Sequence, residues 1–338
     1  MRKPDFKYML QVFERKVPDK PVLFELFLNE RTYKTLAAGK QPVKGDNHDR
    51  ERLLACAYRA GGYDYLTVMG SWFGFAQEEK SHKDSLSLNE STTIPDRAAF
   101  NSYKWNDPEA EDYSWMEGFS SELPEGMKLV VMGPGGVLEN VISLVGYDNL
   151  CLMLYDDPDL VGRLFNEVGS RLVRYYELSA KYDSVGAVIS NDDWGFNTQT
   201  MLSVDDMRKY VFPWHKKIVE VSHKAGKPVI LHSCGRPNEV IDDIIYSMKY
   251  DARHSYEDNI FPVEDFYEQY HSKIAVMGGM DVNFICTSTN EEIEKRSKAM
   301  LERVKDRGGY ALGTGNSVPE FISDEKYFAM IDTVRYCE

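Results

Sequence analysis

Short apolar runs alternate with amphipathic segments along most of the chain. Apolar positions three and four residues apart, as in "NEVIDDIIYSM" and "NEEIEKRSKAMLERVKDRG", indicate helices between the runs. Successive strands joined through a helix are parallel, because such a crossover needs a dozen or more residues. Eight strands in this pattern predict an α/β protein with a (β/α)8 (TIM) barrel, and an open doubly wound sheet is the alternative. The predicted strands are 21–28, 65–70, 128–133, 186–192, 228–235, 252–257, 274–282 and 310–315.

One region breaks this alternation. Residues 71–127 follow the second predicted strand and are rich in polar and aromatic side chains. They predict a long insertion or lid inside a single domain that spans residues 1–338, since long loops on a barrel commonly bind ligands. Aromatic residues of the insertion would close over substrate, dock a partner protein or form the surface of a homodimer. These residues are Trp72, Phe73, Phe75 and Trp105.

Composition narrows the class of protein. The 338 residues carry a formal net charge of -14, which argues against a nucleic-acid-binding protein because such proteins neutralise phosphates with cations. No apolar stretch has the length of a membrane span, and the N-terminus has no apolar region of signal-peptide type. Five scattered cysteines do not form a disulfide framework. We therefore expect a cytoplasmic protein.

The predicted strand 228–235 ends with two metal-ligating side chains. His232 and Cys234 lie two residues apart, and side chains along a strand alternate between faces, so both should point to the same face. An imidazole and a thiolate match two corners of a tetrahedral zinc site. The alternative is a buried free cysteine beside a histidine that bonds to the backbone.

Carboxylates also occur at predicted strand ends. Asp192 and Asp193 are adjacent and face opposite ways, so one of them enters the site and the other caps a segment. Asp281 follows the glycines of "MGGM". Glu25 interrupts "VLFELFL", where a buried carboxylate needs an arginine, a metal or a raised pKa. We predict catalytic roles for Asp193, Asp281 and Glu25, and substrate contacts for Asn316, Trp72 and Phe73.

Three motifs resemble the uroporphyrinogen decarboxylase superfamily, most clearly from residue 186 onward. They are "PVILHSCG", "AVMGGMDV" followed by "TNEEIEK", and "GYALGTGNSVPEFIS". The resemblance implies a (β/α)8 barrel. The true decarboxylases carry an Arg-rich stretch, R-Q-A-G-R, after the first strand, where this chain reads "FELFLNERTY" with Glu25 and only Arg31. A tetrapyrrole with eight carboxylates needs several cations, so porphyrin decarboxylation is the runner-up function.

The other branch of the superfamily is the cobamide-dependent methyltransferases. Their H-x-C-G motif holds zinc, and His232 and Cys234 match its two ligands. A second cysteine of the family, near the last strand, is replaced here within "GTGNSVP". The resemblance implies zinc, a corrinoid carried by a partner protein, and a small methyl donor or acceptor. We predict Glu257 as the third ligand, and the alternatives are His254, Cys286 and Asp281. A non-catalytic binding protein is the third class of function.

Overall fold

The fold centres on a curled sheet of parallel strands. A computed structural model describes residues 3–76, 89 and 93–336. Seven strands of the described residues pair in chain order, each with the next one along the sequence. Every one of these pairings is parallel. The strands are β1 (Tyr65–Met69), β2 (Lys128–Met132), β3 (Val185–Asn191), β4 (Val229–His232), β5 (Ala252–His254), β6 (Ala275–Met277) and β7 (Tyr310–Ala311).

Helices fill the connections between the strands. The helices are α1 (Lys7–Phe13), α2 (Glu30–Ala37), α3 (Asp49–Gly61), α4 (Arg97–Ser102), α5 (Trp115–Gly118), α6 (Val137–Val145), α7 (Tyr147–Asp156), α8 (Pro158–Ala180), α9 (Val204–Asp206), α10 (Phe212–Lys224), α11 (Val263–Tyr270), α12 (Val282–Thr287), α13 (Asn290–Val304) and α14 (Asp324–Arg335). Short 3₁₀ turns cover Pro108–Ala110 and Phe119–Glu122, and π-helical turns cover Met207–Val211 and Asp243–Met248.

Local sequence explains several helix boundaries. The Thr289 hydroxyl accepts from Glu292 N while the Glu292 carboxylate accepts from Thr289 N, so a capping box starts α13. Within the described residues, each single helix is too short or too polar to cross a membrane. One pair, α6 and α7, passes the same test of length and composition together, across a bend of 93°.

The segment predicted as the first strand, residues 21–28, differs from the prediction. It forms one isolated parallel bridge, between Leu23 and Leu312 beyond the end of β7. On its other side, the hydroxyl of Tyr65 in β1 accepts from Glu25 N and donates to Glu25 O, both at 2.7 Å. The Tyr65 side chain therefore bonds to the backbone N–H and C=O of Glu25, which would otherwise pair with a neighbouring strand. The other seven predicted strands are confirmed in place, and several are shorter than predicted.

The core lies on both faces of the sheet, as expected for parallel strands covered by helices. In β2, Leu129, Val130 and Val131 are buried. Of the predicted insertion 71–127, residues 77–88 and 90–92 lie outside the described residues. Its described part contains α4, α5 and both 3₁₀ turns, and Phe75 and Phe100 pack edge-on against Trp105. The lid and the single-domain assignment stay predictions.

Candidate metal centre

The carboxyl ends of β3, β4 and β5 bring polar side chains together inside the curled sheet. Asn191 is in register with His232, and His232 is in register with His254. Residues in register on parallel strands point to the same face, so these three side chains form one layer. The chain continues from that layer into the segments that carry Asp193 and Cys234.

Asp193, His232 and Cys234 form a trio of possible metal ligands. One ligand atom from each lies within 4.8 Å of the others, and Cys234 Sγ is 3.9 Å from His232 Nε2. A tetrahedral zinc ion, with Zn–S of about 2.3 Å and Zn–N of about 2.0 Å, would hold these two atoms ~3.5 Å apart. Cys234 N donates to Asp193 Oδ1 at 2.9 Å, so the two loops are tied together. The donor set and spacing fit zinc.

Burial sets the protonation of the two donors in the metal-free protein. Desolvation lowers the pKa of His232 to about 4, so its imidazole is neutral at pH 7, as a metal ligand must be. Desolvation, with Asp193 nearby, raises the pKa of Cys234 to about 12. The thiol therefore keeps its proton until a metal displaces it. Asn316 Nδ2 donates to Cys234 Sγ at 3.4 Å, an interaction that also suits the thiolate.

Asp192 points away from the trio, as the alternation of strand side chains requires. Its carboxylate accepts from Leu138 N and Glu139 N at the start of α6, at 2.8 and 2.9 Å. It also contacts His215 Nε2 at 2.8 Å. Asp192 therefore fixes α6 and α10 to the end of β3, while Asp193 belongs to the site.

Glu25 is fully buried and bonds to the last strand's loop, not to the trio. Its Oε1 accepts from Thr314 N at 2.9 Å, and its Oε2 is 2.5 Å from Thr314 Oγ1. Thr314 Oγ1 also donates to Asn316 O. Desolvation raises the pKa of Glu25 to about 8, so it is protonated at pH 7. The predicted catalytic carboxylate is thus placed as a support for the loop that carries Asn316.

A cleft of about 740 Å³ lies beside the trio and contains three of the predicted site residues. Glu257, Asp281 and Asn316 line it, and Asn316 joins it to Cys234. Asp281 accepts from Phe284 N and Asp258 N at 2.8 and 2.9 Å, so it also caps α12. Glu257 lies in the cleft wall outside the trio. Asp193, and not Glu257, therefore lies next to His232 and Cys234 among the described residues.

The two aromatic residues predicted to bind substrate are placed differently from each other. Trp72 is 97% exposed and lines a second cavity, of about 480 Å³, beyond the end of β1. Phe73 is buried and packs against Phe75 and Tyr175. Phe73 is therefore a core residue, while Trp72 is accessible to a ligand or partner.

Gly235 holds the turn that follows Cys234, and we expect its replacement by alanine to damage the site. Its φ is +88°, and an added Cβ would lie 2.2 Å from Gly195 O. The Gly235→Ala variant should lose about 2 kcal/mol of unfolding free energy or more, and bind zinc more weakly. Gly226→Ala is the matched control, because φ is +73° with nothing within 4 Å of the added Cβ. Equal urea-unfolding and zinc-binding results for the two variants would contradict this expectation.

Sequence reasoning missed two residues around the trio. Glu139 Oε2 accepts from Gly136 N at 2.7 Å and from Asn191 Nδ2 at 3.3 Å, beside the trio's carboxylate. His254, considered only as a possible ligand, instead contacts His232 Nδ1 through its own Nδ1 at 2.8 Å. A signal for the pair exists in the sequence, because "HS" closes both the fourth and the fifth strand, at 232–233 and 254–255.

The fold and site define an α/β protein whose curled parallel sheet presents an Asp–His–Cys trio at its carboxyl edge. A family model described as uroporphyrinogen decarboxylase (URO-D) matches residues 115–337. This match covers more than half of the chain, and the chain belongs to the uroporphyrinogen decarboxylase family.

Two curated relatives and one solved structure are similar to this chain. Uroporphyrinogen decarboxylases of Citrifermentans bemidjiense and Geobacter sp. strain M21 are each 24% identical over 187 residues, which is 54% of this chain and 50% of theirs. The chain thus spans about half the length of the curated relatives it matches. A methyltransferase from Methanosarcina mazei has a similar structure, with a TM-score of 0.69 over 98% of both chains at 12% identity. At that identity the likeness shows the fold.

Proposed function

We propose that this protein is a zinc-dependent methyltransferase that moves a methyl group between a small molecule and a corrinoid carried by a partner protein. The observation that carries the proposal is the convergence of Asp193, His232 and Cys234 within 4.8 Å. We further propose that residues 21–28 complete a closed (β/α)8 barrel, with the trio at its carboxyl mouth, and that the protein works in the cytoplasm.

The ligand set favours activation of the methyl donor's leaving group. Bound zinc would act as a Lewis acid on an oxygen, nitrogen or sulfur atom, or lower the pKa of a thiol acceptor. A carboxylate donates less electron density than a second thiolate, so the Asp193 ligand leaves the metal more acidic. Asn316, at the boundary between trio and cleft, would orient the group that leaves or arrives.

The charge of the cleft favours an uncharged or cationic substrate over the eight carboxylates of uroporphyrinogen. The charged residues among the described cleft lining are all acidic: Glu257, Asp258 and Asp281. Only Asp258 is neutralised, by Arg296 at 2.6 Å. Arg31, the single arginine after the first predicted strand, bonds to Glu320 O and pairs with Asp324. It therefore supports the fold and does not face the cleft as a cation.

A corrinoid partner would have to approach the mouth, where strand ends and the trio meet. Trp72 is almost fully exposed just beyond β1 and lines the second cavity of that end. An exposed indole on the mouth is suited to contact a protein partner, since tryptophan is enriched at interfaces. A homodimer contact is the alternative use of the same side chain.

Zinc content and methyl transfer test the proposal together. Protein purified without a His tag should hold about one zinc per chain, and the His232→Ala, Cys234→Ala double variant should hold almost none. The zinc-loaded unmodified protein should methylate free cob(I)alamin from a panel of methyl ethers, methylated amines and thioethers. The product is detected by the absorption spectrum of methylcobalamin. Cys286→Ala is the matched control, because it removes a cysteine outside the trio. Zinc-free protein that releases carbon dioxide from uroporphyrinogen would overturn the proposal.

A further inference from the structure

We propose that His254 is a positioning residue that fixes the tautomer of His232, so that the bare Nε2 of His232 faces Asp193 and Cys234. The role in metal binding rests on the proposed zinc function. The proton arrangement itself rests on the contacts of the two rings and can be tested without metal.

Two contacts of His254 define the arrangement. His254 Nε2 lies 3.0 Å from the carbonyl oxygen of Thr314, and His254 Nδ1 lies 2.8 Å from His232 Nδ1. The two imidazole rings are 5.0 Å apart between centroids, with an interplanar angle of 32°. Both side chains are buried, which disfavours a charged imidazolium in either ring.

The direction of each proton follows from these contacts. A carbonyl oxygen only accepts, so His254 must carry its hydrogen on Nε2 to bond with Thr314 O. A neutral imidazole has one N–H, which leaves His254 Nδ1 as an acceptor. The hydrogen in the contact between the rings therefore belongs to His232 Nδ1. His232 Nε2 then has a free lone pair, 3.9 Å from Cys234 Sγ.

The opposite tautomer of His232 is unfavourable in this setting. It would place two nitrogen lone pairs against each other at 2.8 Å and direct an N–H toward the metal position. Thr314, on which the arrangement depends, is itself held by Glu25 through its backbone N and its hydroxyl. Phe24 packs edge-on against His254 at 5.2 Å and restricts the ring.

The His254 ring would also affect the electron density that His232 offers to a bound metal. Zinc-binding histidines commonly donate their other N–H to a carboxylate or a carbonyl, which raises the electron density of the ligand. Here the acceptor is the neutral imidazole of His254, so the N–H of His232 does not bond to a negatively charged group. This agrees with a metal that retains its Lewis acidity.

Variants of His254 test the positioning role. Asparagine places its amide oxygen where Nδ1 of His254 lies and can accept from His232, whereas leucine cannot. We expect His254→Leu to weaken zinc binding about 10- to 100-fold, the range typical of such outer contacts, and His254→Asn to restore most of it. Phe24→Leu disturbs packing around the same ring without removing a hydrogen bond, so its zinc affinity should stay within about threefold of the unmodified protein.

Nitrogen NMR of histidine-labelled, metal-free protein provides the independent readout. His232 should show a proton on Nδ1 and His254 a proton on Nε2, assigned by loss of signals in the His232→Ala and His254→Asn variants. A proton on His232 Nε2 overturns the inference even if zinc binds. A zinc-binding protein whose affinity is equal in His254→Leu and Phe24→Leu overturns it as well. The expected tautomers in a protein that does not bind zinc would support the proton arrangement while the proposed function fails.

Discussion

The Asp193→Asn variant is expected to bind zinc at least about 100-fold more weakly than the unmodified protein, and to lose methyl transfer in parallel. Changing outer contacts of a metal ligand already costs 10- to 100-fold, and this change removes a ligand's charge. The amide oxygen of asparagine still accepts from Cys234 N, a bond of 2.9 Å in the structure. The loop should therefore keep its shape, and the loss can be attributed to the missing carboxylate.

Two comparisons make this expectation specific. Asp193→Ala removes both the ligand and the bond to Cys234 N, so it should also reduce the unfolding free energy, by about 1 to 2 kcal/mol. Asp281→Asn removes a carboxylate from the neighbouring cleft but not from the trio, and should leave zinc affinity nearly unchanged. Isothermal titration with zinc measures the affinity of all three variants, and urea unfolding measures the stability of Asp193→Ala. Unchanged affinity in Asp193→Asn would show that the third ligand is another residue.

Replacing Glu25 by alanine should destabilise the protein by about 3 to 5 kcal/mol, whereas glutamine should cost less than about 1 kcal/mol. Thr314 Oγ1 donates to Asn316 O, so its contact with Glu25 Oε2 requires a proton from the glutamate. A glutamine NH2 group can donate at the same place, and its oxygen can accept from Thr314 N. Alanine leaves a cavity and removes the acceptor of Thr314 N. Urea unfolding measures both variants.

The same pair of proteins has a defined pH dependence. The pKa of Glu25 is about 8 in the folded protein against an ordinary value of 4.5, so the folded state holds a proton that the unfolded chain releases in this window. Stability from this group is therefore present below pH 4.5 and is lost as pH rises to about 8, by on the order of 5 kcal/mol. The Glu25→Gln variant should gain stability relative to the unmodified protein over that range. A constant difference between the two would mean that Glu25 is ionised in the fold.

Much of the sheet was predictable because its strands are apolar runs, and runs of this kind identify buried parallel strands well. The apolar run 21–28 shows the limit of predicting strands from apolar runs. Its residues are as buried as those of a strand, but pairing depends on the neighbour, and there the Tyr65 hydroxyl bonds to the backbone of Glu25. Apolar patterns report burial and do not report which atoms satisfy the backbone.

The site was predictable where the strand period extends to it. His232 and Cys234 lie together as a spacing of two residues requires, and only one of the adjacent aspartates enters the site. Glu257 shows where the strand period no longer predicts which side chains enter the site. The strand before it ends at His254, and Tyr256 N then donates to Gly315 O, so the chain has left the strand before Glu257. Which acid lies beside His232 and Cys234 depends on that turn, and no sequence period describes it.

Residues 21–28 join β1 to the end of β7 through one isolated bridge and a side-chain contact, so we expect the sheet to open there first. On one flank, Val22 and Phe24 exchange backbone hydrogen bonds with Leu312, residues from opposite ends of the sequence, so this contact forms only after a very long loop has closed. On the other flank, the Tyr65 hydroxyl bonds to the backbone of Glu25 in place of a series of backbone hydrogen bonds between two strands. A partial opening along this line would loosen Glu25 from Thr314, and with it the carbonyl against which the paired imidazoles are aligned. If zinc binds as proposed, a substitution that weakens this junction should therefore also lower the affinity for zinc.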